Sequence, residues 1–250
     1  MKAAPDQSSS FPPGAGQFVT TRWTVVLAAG QGKDTRAREA LEQLCRIYWY
    51  PLYVFLRRQG CSPCDAEDLT QGFFAHLLSK HGLAAVAREK GRFRSFLLAS
   101  LKNFAANERD RQRAQKRGGG QVPIALDSTS AETRYTAEPS DPMTAEKAFE
   151  RQWALTLLET VLNRLQAEHA APEKARLFAA LKLTLTSDRG STPYAELAAS
   201  LGLSEGAVKV AVHRLRQRYR QLLREEVAQT VANPAEVDEE LRHLFAVLSG

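Results

Sequence analysis

The chain has 250 residues, 44% of them hydrophobic, a net charge of +6 and three Cys. That length supports one large or two small domains with real cores, and so few Cys exclude a disulfide framework and fit a reducing compartment. The chain has no apolar run near the roughly 18 residues of a bilayer span, and its opening MKAAPDQSSSFPPGAGQ lacks an apolar signal core; the expectation is a cytoplasmic protein without membrane insertion.

In chain order, residues 1–20 are rich in Pro, Gly and Ser and read as disordered. Thr21 to Ala29 reads as a short helix with Trp23, Val26 and Leu27 inward, ended by Gly30 and Gly32. Asp34 then caps a helix with Ala37, Leu41, Leu44, Ile47, Tyr48 and Phe55 on one side. Pro51 sits inside that pattern and should kink it, and Gly60 stops it. Next comes Cys61-Ser62-Pro63-Cys64-Asp65. A metal or redox site would need a second CxxC or a His pair at finger spacing, and neither is present. A capped helix start explains it better: Ser62 as cap, Pro63 at the first helical position, Asp65 three residues after the cap. The helix runs to Leu78 with Leu69, Phe73 and Leu77 inward and Asp65, Asp68 and Gln71 outward. Its acidic start also suits the helix dipole, which alone could account for the carboxylates.

After Gly82 and a short apolar segment comes a long helix from Gly91 to Arg117, with Phe93, Phe96, Leu97, Leu101 and Phe104 as its stripe. Residues 88–117 carry ten Lys/Arg against three acids, a net +7. So many cations exceed what a helix C-terminus needs and point to phosphate contact. Residues 118–143 hold a Gly triplet and three Pro and read as a flexible interdomain linker. Helix returns from Thr144 to Ala167, with Phe149, Trp153, Leu157, Leu158, Val161 and Leu165 inward, and again from Pro172 to Leu181.

Pro193 to Arg224 then reads as a helix-turn-helix. Leu197, Ala198 and Leu201 form the inner side of a short helix, with Ala198 and Ala199 small enough for close approach. Gly202-Leu203-Ser204 supplies a tight turn and a cap. The second helix has Val208, Ala211, Val212, Leu215, Tyr219, Leu222 and Leu223 on one face and Lys209, His213, Arg214, Arg216, Arg218 and Arg220 on the other, as a major-groove reader requires. A solvated basic face is the plainer alternative. Residues 204–224 carry a net +5 and residues 225–250 a net −5. Asn233-Pro234 starts a last amphipathic helix with Val237, Leu241, Leu244, Phe245 and Leu248. The expected fold is therefore all-α: two small helical domains, 21–117 and 144–225, joined by the 118–143 linker, with an acidic extension over 226–250.

An acidic helix, a basic helix, a linker and a basic helix-turn-helix in that order resemble the extracytoplasmic-function (ECF) group of RNA polymerase sigma factors. The resemblance rests on Asp65-Ala-Glu-Asp-Leu-Thr-Gln-Gly-Phe-Phe74, Phe93-Arg-Ser-Phe-Leu97 through Asn103, and Tyr194-Ala-Glu-Leu-Ala198 through Gly206-Ala-Val-Lys-Val-Ala-Val-His-Arg-Leu215. It implies a sigma factor that directs promoter recognition, DNA melting and transcription initiation. Its partners would be core RNA polymerase, at the β′ clamp helices and β flap, and promoter DNA, with room for an anti-sigma factor. Asp65, Asp68 and Gln71 would meet the clamp helices. Asn103 would sit by a flipped base of the −10 element, with Phe104, Asn107, Arg109 and Arg111 stacking or touching phosphate; by helical angle, a buried Asn103 bonded internally remains the competing reading. Lys209, Val210, His213 and Arg214 would face −35 bases, and Arg216 and Arg218 phosphates. Such a protein needs no cofactor, metal or catalytic residue.

The segment up to Gly32 and the tail from Glu225 exceed the family's usual span. An acidic helix beside a basic reader could hold it off DNA, giving intramolecular control, or simply pack on the second domain. A helix-turn-helix regulator that dimerises and ignores polymerase is the rival function. Enzyme activity has only Cys61 and Cys64 in its favour, since no phosphate loop, HExxH or GxSxG is present.

Overall fold

Tyr48 to Leu56 is the run around which the chain folds. The computed structural model describes residues 35–77, 92–115, 129–137, 143–185 and 194–249. In it the run lies in helix α1 (Thr35–Arg58), with Tyr48, Leu52, Tyr53, Val54 and Leu56 wholly shielded from solvent. A helix apolar on all sides must occupy the middle of a core. The helix continues through Pro51, and Gly60, at φ +86°, takes the left-handed conformation that turns the chain beyond it.

Helices α2 (Pro63–Leu77) and α3 (Phe93–Gln115) pack on α1 from the first half of the chain. The cap of α2 forms as expected: the Ser62 hydroxyl accepts from the Asp65 amide at 3.2 Å and donates to the Asp65 carboxylate at 2.6 Å. Beyond α4 (Thr129–Ala137) comes α5 (Ala145–Glu168), capped by Thr144. Helix α6 (Pro172–Leu181) leads through a 3-10 turn to α7 (Tyr194–Leu201) and α8 (Glu205–Ala228). Another 3-10 turn, Pro234–Glu236, opens α9 (Val237–Ser249), with the Asn233 side chain accepting from the Ala235 amide. The described residues form nine α-helices and no strand, so the all-α expectation is met.

Packing crosses the boundary expected between the two halves. Helix α5 lies along α1 and also carries α8 and α9, so buried residues of both halves join one cluster. Tyr48 meets Phe93 edge-on at 5.1 Å and stacks with Phe149 at 6.5 Å. Each such pair contributes about 0.5–1.5 kcal/mol beyond its area.

Three features differ from expectation. Helix α4 forms inside the stretch read as linker. Only its Ala131 is deeply buried among its described side chains; polar contacts hold the rest, with Glu132 accepting from Tyr53 at 2.5 Å and from Arg57 at 2.9 and 2.8 Å. Arg57 thereby holds the Glu132 carboxyl below the usual carboxylate range, against a smaller opposing effect of burial. Phe245, placed on the apolar stripe of the last helix, is 54% exposed. Glu240, one turn from Val237 on that stripe, is buried instead. The expected helix over 21–29, the segment after Gly82 and the rest of the linker lie outside the described residues.

Candidate nucleic-acid interface

The first candidate surface forms where α2 crosses α3. Phe93, Leu97, Leu101 and Ala105 turn one face of α3 inward, which aims Asn103 and Asn107 outward. Both are exposed, and among the described residues neither has a hydrogen-bond partner, so the buried, internally bonded Asn103 does not occur. Phe104 is half-buried between them. Its ring lies 5.9 Å from Phe73 and 5.7 Å from His76. These rings, with Phe96, Ser100 and Arg111, wall a cleft of about 230 Å³ that opens at Asn103 and Asn107. An aromatic floor with amide groups at its rim suits an unstacked base. His76 was not singled out from the sequence, although it follows Phe73 by three residues and therefore shares its side of α2. At Gly72 an added Cβ would lie 3.4 Å from the Phe104 ring, an ordinary van der Waals contact.

Arg111 is exposed and paired with Glu108 at 2.6 Å. Arg109 reaches the half-buried Cys61, whose thiol is pushed up chiefly by burial. Cys64 is exposed and Cys45 buried, and among the described residues no His/Cys/Asp/Glu group could hold a metal ion. Asp65 and Asp68 are exposed on α2. Gln71 is half-buried and donates to Glu67 at 3.1 Å, so it faces less fully outward than its helical angle implied.

The second surface is built by α7 and α8. Gly202, at φ +68°, makes the turn between them, and the Leu203 amide donates back to the Ala198 carbonyl at 3.0 Å. The Ser204 hydroxyl accepts from the Ala207 amide at 3.2 Å, starting α8 as expected. Val208, Val212 and Leu215 face inward. The opposite face presents Val210, 50% exposed, with Lys209, His213 and Arg214 also exposed. Lys209 pairs with Glu205 at 2.7 Å, which raises its pKa. Among the described residues His213 and Arg214 have no hydrogen-bond or ion-pair partner. Lys209, His213, Arg216 and Arg220 line a cleft of about 410 Å³ with Tyr194 from the start of α7. Tyr194 was quoted only as part of a motif and had not been placed at the surface.

Arg216 and Arg218 are engaged within the protein. Arg216 donates to the Thr184 carbonyl at 3.0 and 2.5 Å, tying α8 to the turn after α6. Arg218 makes a two-pronged pair with Glu168 of α5 at 2.8 and 2.5 Å, which pulls the Glu168 carboxyl below its ordinary range. Any phosphate contact by these two arginines has to share them with those bonds.

Two helices of an all-helical chain thus turn exposed amides and cations outward over an aromatic and a basic cleft. A family model described as ECF sigma factor matches residues 70–225, more than half of the chain, and the chain belongs to that family. The protein is thus a sigma factor with a DNA-binding role in transcription initiation. No curated protein and no solved structure matches the chain. No described helix is long and apolar enough to cross a membrane.

Proposed function

We propose that the chain binds core RNA polymerase through the exposed acids of α2, Asp65 and Asp68, with Gln71 beside them, and directs it to promoters having −10 and −35 elements. In this reading α3 holds the melted −10 strand. Asn103 and Asn107 meet an unstacked base at the cleft, Phe104 supports it, and Arg109 and Arg111 lie along the phosphates. Helix α8 enters the major groove at the −35 element with Lys209, Val210, His213 and Arg214 toward base edges. Arg216 and Arg218 steady it near the phosphates from their anchored positions.

The protein performs no bond chemistry in this scheme. Binding free energy offsets the loss of duplex stacking, roughly 1.4 kcal/mol per step. The observation that carries the reading is the cleft itself: two exposed Asn side chains at the rim of an aromatic floor, on a helix with exposed Arg109 and Arg111 farther along.

Run-off transcription with added core polymerase tests it. Core plus the chain gives discrete start sites that core alone does not. Replacing Asn103 with Ala lowers strand opening, read by permanganate reactivity, while leaving core binding unchanged. Reversing Asp65 and Asp68 to Arg weakens core binding at least tenfold, about 1.4 kcal/mol. A stable dimer that binds duplex half-sites and ignores polymerase would instead make the chain an ordinary helix-turn-helix regulator.

A further inference from the structure

The acidic tail does not cover the reading face of α8, where Val210, His213 and Arg214 stay exposed. It goes elsewhere. Glu240 of α9, 1% exposed, accepts from Arg94 of α3 at 2.6 and 3.3 Å and pairs with Arg92 at 3.0 Å. Glu239 pairs with Arg92 as well. Arg94 reaches Glu150 of α5 at 2.5 Å, and Glu150 also meets His243 of α9 at 3.0 Å. The Phe93 amide donates to the Thr230 carbonyl, in the turn after α8, at 3.2 Å. The N-terminal end of α3 is thus held by α5, by α9 and by the turn that joins α8 to α9.

We propose that α9 is a releasable clasp: through Glu239 and Glu240 it fastens the first basic helix to the second half of the chain, and a two-element promoter is engaged only after it lets go. Three arguments support this, and they rest on the promoter reading above. The first is reach. Elements about 25 base pairs apart are separated by about 85 Å at ~3.4 Å per pair. A compact chain of this length has a radius of gyration of about 18 Å, so the closed form cannot lie on both. The residues between α3 and α5, with α4 kept helical but released from α1, reach about 80 Å, which together with the span of each half is enough for separated halves.

The second argument is chemistry. Where α9 meets α3 the seam is ionic, while α5 meets α1 through buried apolar residues; a desolvated ion pair adds little net stability over an apolar contact while fixing position and orientation. The α9 contact therefore specifies the closed arrangement and adds little to its permanence. The third is competition. Glu239 and Glu240 occupy two arginines of the basic block that DNA phosphates would otherwise attract, so a bound polyanion and a docked α9 exclude one another. Opening also uncovers Phe149 and Trp153 against α1, which favours release onto a partner that covers them, such as core polymerase, over release onto DNA alone.

Covalent locking tests the clasp. In a Cys61→Ser, Cys64→Ser background, Arg92→Cys and Glu239→Cys are bridged by a bismaleimide whose spacer contains a cleavable disulfide. The bridged protein is expected to lose at least tenfold in run-off transcription from a two-element promoter and to regain it when the spacer is reduced. Transcription that is equal before and after cleavage would overturn the proposal. A second measurement does not depend on transcription: dyes at Ala75→Cys and Ala179→Cys report the separation of the halves in the same background. Glu240→Gln, and separately removal of residues 237–250, should shift energy transfer toward longer distances, with helicity checked by circular dichroism. An unchanged distance in both would also overturn it. If even the unbridged chain fails to transcribe with core polymerase, the sigma reading fails, and the distance measurement still decides the clasp.

Discussion

Arg94→Met is the substitution that reveals most about how the halves are joined. The guanidinium is 4% exposed, lies over the Trp153 ring at 5.2 Å, and is bound by Glu240 and Glu150. Burial works against its charge, and the two carboxylates more than offset this, so its pKa lies above the ordinary arginine value. Removing one partner of a buried pair costs about 3–5 kcal/mol, because the other charge stays desolvated. Here the low end applies. Arg92 remains 3.0 Å from Glu240, Glu150 is partly exposed and keeps His243, and the Met thioether retains a contact with Trp153. The expected loss is about 3 kcal/mol, or about 6–12 °C in Tm for a chain of this size. Adding Glu240→Leu removes the stranded carboxylate. The double variant should return to within about 1 kcal/mol of the starting protein, a recovery of about 2 kcal/mol over Arg94→Met. Urea unfolding followed by tryptophan fluorescence reads this directly, since Trp153 is fully buried. If the double variant is no more stable than Arg94→Met alone, the buried charges are not acting as a pair and the reasoning fails.

Three further outcomes are expected. Gly202→Ala should destabilise by about 1–2 kcal/mol in thermal unfolding through left-handed strain alone, because an added Cβ meets nothing within 4 Å; a neutral result would contradict the turn geometry. Glu132 is held below its usual range by Arg57, so its contribution to docking α4 is full above its unfolded pKa of about 4.3 and falls as pH drops through the lower folded value. Hydrogen exchange of α4, corrected for intrinsic rates, should be flat above about pH 5 and lose protection below about pH 4, whereas Glu132→Gln should be less protected and flat throughout. Arg214→Ala should weaken −35 duplex binding by about 1–3 kcal/mol if Arg214 reads a guanine edge and relax preference at one position; equal loss on all sequences, with the salt slope smaller by about 1, would mark it as a phosphate contact.

Most helices were legible because their apolar residues recur at threes and fours and their starts carry Ser62, Thr144, Ser204 or Asn233. Helix α4 was not. Thr129–Ala137 has no apolar stripe, and it is held by Glu132 on Arg57 and Tyr53 and by Arg134 over Tyr50 at 4.1 Å. Such polar contacts join residues far apart in sequence, which periodicity cannot reveal. The charged members of the clasp were half-legible. Arg94 falls between Phe93 and Leu97, and Glu240 between Val237 and Leu244, so both stand on apolar stripes. A charge in that place signals a buried partner, but only the packed structure says that each is the other's. The site residues divide in the same way. The exposure of Asn103 follows from turning Phe93, Leu97 and Leu101 inward, whereas the cleft beside it also needs Phe73 and His76 from another helix.

Counting cations along α8 overstates its grip on DNA. Arg216 is spent on the Thr184 carbonyl, Arg218 on Glu168, and Arg224 on Asp238 of α9. Lys209 is offset by Glu205. What faces outward over the first turns is Val210, His213 and Arg214, a mixture of apolar, neutral-capable and cationic groups rather than a basic sheet. In the proposed −35 docking such a face would discriminate by contact with base edges and thymine methyls, and it would contribute few of the counterion-releasing contacts that drive non-specific affinity. The acids of α9 repeat the pattern: Asp238 goes to Arg224, and Glu239 and Glu240 go to Arg92 and Arg94. Opposite charges that look like a tail shielding its neighbour in sequence instead stitch the ends of three helices, and the reading surface is left clear. If the proposed clasp controls DNA binding, it acts on the distance between the two faces and not on access to either one.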